Sequence, residues 1–232
     1  MTYDEFIAAI DKYWDLYEGG LKKQANKYLF EFTGSCAEIP RAELDAILER
    51  LCRECIDGGL FAEHRRGKAG NLPFQLTKLL DEYLVRQSEL NRMPHMRWAY
   101  QLFGRYYNPH DPKNERPAYD ILERAYNHPK RDVKTAELFL EEQLSVLGFG
   151  AHHFPDGCCI GRSLYREAVA LAEKILSEND IPRELADELD YYKRLYSAWY
   201  EWFDGGKQGD FAEICRAAGL RWEEIPAYYY SG

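Results

Sequence analysis

Hydrophobic side chains recur along most of this chain at the three- and four-residue spacing of an amphipathic helix. The first such segment begins at Thr2 and Glu5, which have the spacing of a capping box. Its apolar positions are Phe6, Ile7, Ile10, Tyr13, Trp14 and Tyr17. Sustained alternation of apolar and polar residues, which would indicate strands, is nearly absent. The pattern therefore predicts an all-α protein of about nine or ten amphipathic helices, packed as antiparallel hairpins in a compact array or a short α-solenoid.

Prolines and glycines mark where the predicted helices begin and end. Pro40 and Pro182 each open a helix, because the missing N–H of proline is harmless in the first helical turn. Glycine accepts the left-handed conformation that ends many helices, which predicts ends at Gly19-Gly20, Gly58-Gly59 and Gly205-Gly206. The same rule predicts a helix break at Thr33-Gly34-Ser35 and an irregular segment over 148–161. The shared starts and ends are either the common start and stop signals of helices or the trace of helical-hairpin repeats.

Two helices are predicted between Leu164 and Phe203, joined by the five residues 178–182. The first carries small and large apolar residues at Ala168, Leu171, Ala172 and Ile175. This arrangement resembles a tetratricopeptide-type hairpin, although the second helix lacks the small-then-aromatic spacing and no period near 34 persists along the chain. The resemblance covers about a sixth of the protein and implies a peptide- or protein-binding scaffold.

The 232 residues are enough to bury a sizeable core, and the helical pattern continues from end to end. We therefore expect a single helical domain over 1–232. A soft boundary is expected in the loop 63–73, which is rich in Gly, Arg, Lys and Asn and has little periodicity.

The formal net charge of −9 is distributed unevenly. The stretch Arg86–Lys134 has ten basic and six acidic residues, whereas Glu173–Glu224 has seven basic and thirteen acidic residues. An acidic protein repels nucleic acids and anionic membranes, so these partners are disfavoured. No stretch approaches the ~20 apolar residues of a membrane span, and the acidic N-terminus lacks a signal-peptide pattern. We expect a cytoplasmic protein with reduced cysteines.

Charge and aromatic content together predict a non-enzymatic protein-interaction module that uses no cofactor. The chain has 18 Tyr and 5 Trp, residues that interfaces favour, and it lacks the nucleophile-elbow, Walker, Rossmann and zinc-protease motifs. An inhibitor or immunity-type protein that neutralises a basic partner is one concrete form. We expect the contact surface on the long helix 182–204 and the C-terminal tail, at Tyr192, Tyr196, Tyr200, Trp202, Glu188, Asp204 and Tyr229.

A metal-dependent enzyme or metal binder is an alternative hypothesis, centred on the segment 152–159. Its nitrogen, oxygen and sulfur ligands would come from His152, His153, Asp156 and Cys158. Adjacent His–His and Cys–Cys pairs are poor chelators, because zinc ligands are usually two to four residues apart. The structural alternative is a loop whose Cys and Phe side chains pack inward. Cys52 and Cys55, which lie within a helical apolar stripe, are expected to be buried as small hydrophobes.

A second alternative is a single-stranded nucleic-acid binder that uses the basic, aromatic stretch 92–131. Interleaved arginines and aromatic rings grip a strand by charge and stacking, and the candidates are Arg97, Arg105 and Lys130. The structural alternative is a helix with Trp98 and Tyr106 inside and arginines extending outward.

Overall fold

The computed structural model describes residues 1–58, 72–106 and 118–222, without the side chains of 103–106 and 118. These residues form ten α-helices and no strand, which confirms the predicted all-α fold. None of these helices is long and apolar enough to cross a membrane. The helices are α1 (Tyr3–Glu18), α2 (Lys22–Ser35), α3 (Arg41–Cys52), α4 (Phe74–Glu89), α5 (His95–Tyr106), α6 (Ala118–Tyr126), α7 (Val133–Ala151), α8 (Arg162–Glu178), α9 (Arg183–Asp204) and α10 (Phe211–Ala217).

The chain divides into two compact units, Met1–Lys130 and Arg131–Gly232. Compactness alone does not make a unit an independently folding domain, so the single domain stays a prediction. Most of the proposed soft boundary, residues 63–71, lies outside the described residues.

The unit Met1–Lys130 is built from neighbouring helices that bury one stripe each. The capping box predicted at Thr2 is present, because its hydroxyl accepts from the Glu5 amide while the Glu5 carboxylate accepts from the Thr2 amide. Helix α1 packs against α2 and α3, α4 packs against α2, α3 and α5, and α5 packs against α6. A π-helical turn, Arg53–Asp57, extends α3 and packs against α5. This turn carries Asp57 to the helix that holds Arg97 and Trp98.

The unit Arg131–Gly232 places α7 against both α8 and α9, and α9 against α8 and α10. Asp132 caps α7 by accepting from the Thr135 amide at 2.9 Å, and Asp210 caps α10 by accepting from the Ala212 amide at 2.9 Å. The aromatic stripe of α9 supplies much of the core. Trp199 stacks on Phe154 with 4.8 Å between ring centroids, and Tyr196 is fully buried.

Helices α1 and α9 end in the same way. Gly20 and Gly206 adopt positive φ angles of 83° and 79°. The amide of the next residue then donates to a carbonyl five residues before it: Leu21 to Leu16, and Lys207 to Trp202. This Schellman geometry favours glycine at the left-handed position, because a Cβ is disfavoured there. The matching Gly-Gly motifs therefore follow from one local rule, and a true helical repeat stays a prediction.

The helix breaks predicted at Gly34 and Gly148 are wrong, although residues 152–161 of the predicted irregular segment do lie outside a helix. Helix α2 continues through Gly34 to Ser35, and α7 continues through Gly148 and Gly150 to Ala151. Glycine lowers helix propensity by about 1 kcal/mol relative to alanine, which is less than tertiary packing can supply. In α7 the glycines make room for side chains of α9.

Candidate functional site

A pocket of about 290 Å³ lies where α8 begins and α9 ends, within the unit Arg131–Gly232. Two of the residues predicted to contact a partner, Tyr200 and Asp204, line this pocket. The full lining is Arg162, Tyr165, Arg166, Ser197, Tyr200, Glu201 and Asp204. The pocket therefore combines two aromatic rings with two cations and two carboxylates.

One cation and one carboxylate of the pocket neutralise each other. The Nη2 atom of Arg162 donates to both carboxylate oxygens of Asp204 at 2.6 Å. The Arg162 guanidinium also lies over the ring of Tyr200, 4.2 Å from its centroid. A guanidinium over an aromatic face is attracted by the negative face of the ring. This contact links the two helices at the pocket edge and holds Tyr200 in place.

The remaining two charges have no ion-pair partner among the described residues. Arg166, on α8, is exposed and forms no hydrogen bond or salt bridge there. The carboxylate of Glu201, on α9, accepts a hydrogen bond from the hydroxyl of Ser197, at 3.1 Å, and no other within the described ranges. Opposite unpaired charges thus line the two helical sides of one pocket.

The aromatic side of the pocket is anchored in the core of the unit. The ring of Tyr165 stacks on Tyr196 with 4.4 Å between centroids, and it meets Tyr200 edge-on at 5.7 Å. Burial raises the pKa of Tyr165 and of Tyr200. The positive charges of Arg162 and Arg166 partly oppose the rise in the pKa of Tyr200. Both phenols are therefore neutral near pH 7 and offer aromatic surface without a charge.

Five of the predicted contact residues of α9 form one helical stripe with four-residue spacing, and this stripe is buried in the middle. Glu188 and Asp204, at its ends, are exposed, whereas Tyr192 and Tyr200 are half-buried. Tyr196 is fully buried and donates its hydroxyl to the Leu147 carbonyl at 2.8 Å. Tyr196 is therefore a core residue of this unit, and not a surface for a partner.

Glycines on α7 explain why this stripe turns inward. A Cβ atom built on Gly150 would lie 2.0 Å from the Tyr196 hydroxyl, and one built on Gly148 would lie 2.8 Å from the Tyr192 hydroxyl. The two tyrosines therefore need glycine opposite them. The signal in the sequence is the Gly-Phe-Gly spacing of residues 148–150, which local rules interpret as a helix end.

The other predicted contact residues lie apart from the pocket or outside the described residues. Trp202 is half-buried, donates its indole N–H to the Gly209 carbonyl at 3.1 Å, and faces Phe211 across 5.4 Å. Tyr229 lies outside the described residues. Glu188 adds to the negative charge around Glu141, whose pKa is raised by loss of hydration and by the nearby carboxylates of Glu137, Glu188 and Glu142.

The structure does not bring the four candidate metal ligands together. Within residues 1–58, 72–106 and 118–222, no group of three His, Cys, Asp or Glu residues is placed to hold a metal ion. The rings of His152 and His153 pack edge-on with centroids 5.0 Å apart. Cys158 donates its thiol to the Ile160 carbonyl at 3.1 Å, and Asp156 completes no ligand set. The segment is a loop that packs Phe154 inward, whereas Cys158 is half-buried and Cys159 is exposed, so the inward packing expected of the cysteines is wrong.

One candidate arginine of the basic stretch 92–131 lies in the core. The Arg97 side chain is almost fully buried and donates to both carboxylate oxygens of Asp57, at 2.5 and 3.2 Å. The indole N–H of Trp98 donates to the same carboxylate at 3.0 Å. Arg97 is therefore a structural residue that cannot reach a phosphate. Lys130 is exposed, and the side chain of Arg105 lies outside the described residues.

Sequence reasoning missed a buried histidine in the unit Met1–Lys130. The Nε2 atom of His95 is 2.9 Å from the hydroxyl of Tyr83, and its Nδ1 atom is buried without a hydrogen-bond partner in the part of the chain that the structure describes. Burial lowers the pKa of His95 below its usual value. The signal was the shared helical face of His95, Trp98 and Leu102, at positions i, i+3 and i+7.

Cys52 and Cys55 are both buried, and burial raises the pKa of each thiol. A thiol with a raised pKa stays protonated and makes a weak nucleophile and metal ligand. These two cysteines therefore act as small apolar side chains in the core.

Comparison with known proteins adds no relative. No protein-family model matches the chain, and no curated protein or solved structure shows significant similarity to it.

Proposed function

We propose that this protein is a non-enzymatic interaction module whose unit Arg131–Gly232 binds a basic protein partner. The observation that carries the proposal is the segregation of charge between the two units. Arg131–Gly232 has 19 acidic and 11 basic residues, a net charge of −8, whereas Met1–Lys130 has 20 acidic and 19 basic residues, a net charge of −1. Such a field attracts a basic protein from solution and speeds its association.

Helix α9 offers the acidic residues in an accessible form. Glu184 and Glu188 are exposed and form no ion pair among the described residues. Asp187 and Asp190 are 3.5 and 3.9 Å from arginines one turn away on the same helix. Exposed pairs of this kind contribute about 0–1 kcal/mol, so they reorganise readily when a partner supplies its own cations.

Apolar side chains lie at the other end of the same helix. Phe203 remains 41% exposed at the end of α9, next to the half-buried Trp202. Aromatic side chains supply much of the binding energy of protein interfaces, while surrounding charges favour encounter and orientation. An inhibitor or immunity-type protein that neutralises a basic partner is the concrete form that this combination supports.

Affinity purification with charge-reversed variants tests the proposal. The tagged full chain is incubated with lysate of its source cells at about 0.1 M and about 0.5 M salt, concentrations that bracket strong and weak screening. The test variant is Glu184→Lys with Glu188→Lys. The matched control, Glu38→Lys with Glu43→Lys, makes the same charge change at exposed positions of the other unit.

We expect a basic protein to be recovered at low salt by the wild type and the control, and to be lost with the α9 variant and at high salt. Circular dichroism establishes that all three proteins are equally helical. Recovery of no partner at either salt concentration, or equal recovery by both variants, would contradict the proposal.

A further inference from the structure

We propose that the pocket between the start of α8 and the end of α9 binds a small zwitterionic α-amino acid, with its carboxylate against Arg166 and its ammonium group against Glu201. This binding site is separate from the proposed protein partner, since its occupant is a small molecule and its defining contacts are within one pocket. It therefore stands or falls independently of the interaction with a basic protein.

The charges of the pocket select for a zwitterion. Arg162 and Asp204 are satisfied by their own ion pair, which leaves one cation and one carboxylate for a ligand. Arg166 and Glu201 form no ion pair with each other. A ligand with one charge would form an ion pair with only one of these two exposed side chains. A ligand with both charges can pair with Arg166 and with Glu201. An α-amino acid is such a ligand, because its ammonium and carboxylate groups are joined through a single carbon.

The residues around these two charges are held in place before any ligand arrives. The Ser197 hydroxyl bonds to the carboxylate of Glu201, and Arg162 covers one face of Tyr200. Tyr165 stacks on the fully buried Tyr196. A pocket whose walls are already ordered loses less conformational freedom on binding, which favours affinity for a small ligand.

The size and lining of the pocket limit the ligand further. Its volume of about 290 Å³ is at the lower end of the roughly 300–1,000 Å³ that small-molecule sites occupy. Tyr165 and Tyr200 provide aromatic surface without charge, which suits an apolar or aromatic side chain. We therefore expect L-phenylalanine to be a suitable probe of the site.

Isothermal titration calorimetry on the full chain compares L-phenylalanine with two analogues that each lack one charged group. These are 2-phenylethylamine, which lacks the carboxylate, and 3-phenylpropionate, which lacks the ammonium group. We expect L-phenylalanine to bind with a Kd at least about tenfold lower than either analogue. Absence of saturable binding up to about 10 mM L-phenylalanine, or equal affinity for all three compounds, would overturn the proposal.

Single-charge variants assign the two contacts. Arg166→Gln is expected to weaken L-phenylalanine about tenfold and to remove its advantage over 2-phenylethylamine. Glu201→Gln is expected to remove the advantage over 3-phenylpropionate. The matched controls Arg183→Gln and Glu184→Gln, at the opposite end of α9, are expected to bind like the wild type. Binding that survives both pocket variants unchanged would place the ligand elsewhere and refute the assignment, provided that circular dichroism shows intact helices.

Discussion

Replacement of Gly150 by alanine is expected to destabilise the protein, because α9 approaches α7 too closely for a methyl group. The added Cβ would lie 2.0 Å from the Tyr196 hydroxyl and 2.5 Å from a side-chain carbon of Ile160. Neither side chain can move away easily. Tyr196 is fully buried and bonded to the Leu147 carbonyl, and Ile160 is also buried.

The magnitude follows from three contributions. Forcing an extra methyl group into a packed core costs about 1–3 kcal/mol, and displacing the Tyr196 hydroxyl from its carbonyl costs about 1 kcal/mol more. The higher helix propensity of alanine offsets about 1 kcal/mol of this. The free energy of unfolding is therefore expected to fall by about 2 kcal/mol.

Urea unfolding followed by circular dichroism measures this change, and a double-mutant cycle tests its cause. Tyr196→Phe alone should cost about 1 kcal/mol, but in the Gly150→Ala background it removes the closest clashing atom and should recover part of the stability. The control Gly34→Ala, where a Cβ meets nothing within 4 Å, should be neutral or stabilising. A Gly150→Ala protein as stable as the wild type, or strict additivity in the cycle, would refute this account of the packing.

Three further predictions concern buried and capping groups. Asp57→Ala removes the carboxylate that Arg97 and the indole of Trp98 share. Urea unfolding should show that the free energy of unfolding falls by about 3 kcal/mol or more. Asp57→Asn should lose less, and equal losses would count against the charge argument. The lowered pKa of His95 means that the unfolded chain binds its proton more readily, so stability should fall as the pH drops below about 6.5. His95→Gln should show a shallower fall between pH 7 and pH 5, and parallel stability curves would contradict this. Asp132→Ala removes the cap of α7 and should lower the free energy of unfolding by about 1 kcal/mol, whereas an unchanged midpoint would show that the cap contributes nothing.

Local rules made much of the fold predictable. The capping box at Thr2, the proline starts at Pro40 and Pro182, and the glycine end at Gly205 each depend on a few neighbouring residues. Their geometry is set by backbone sterics and by hydrogen bonds within one turn of helix. The periodic apolar stripes then indicated which face of each helix is covered.

Local rules did not predict the candidate site. One helix supplies Arg162, Tyr165 and Arg166, and another supplies Ser197 and Glu201. No spacing along the chain indicates that these side chains meet. The sequence pointed to Tyr200 and Asp204 through aromatic content and charge alone. It could not distinguish them from Tyr196, which shares their helical face but is covered by α7 and α8.

The order of apolar and polar residues was enough to show that this protein is a set of amphipathic helices and to place many of the points where they begin and end. The role of an individual glycine or charge, by contrast, depends on how the helices pack. Gly206 ends a helix because its own φ is positive, whereas Gly150 lies within a helix because a tyrosine from α9 needs its space. Arg97 is buried against the carboxylate of Asp57, whereas Arg166 is exposed and pairs with no carboxylate among the described residues. Helix ends depend on contacts within a few residues, whereas burial and pairing depend on which distant helix lies alongside.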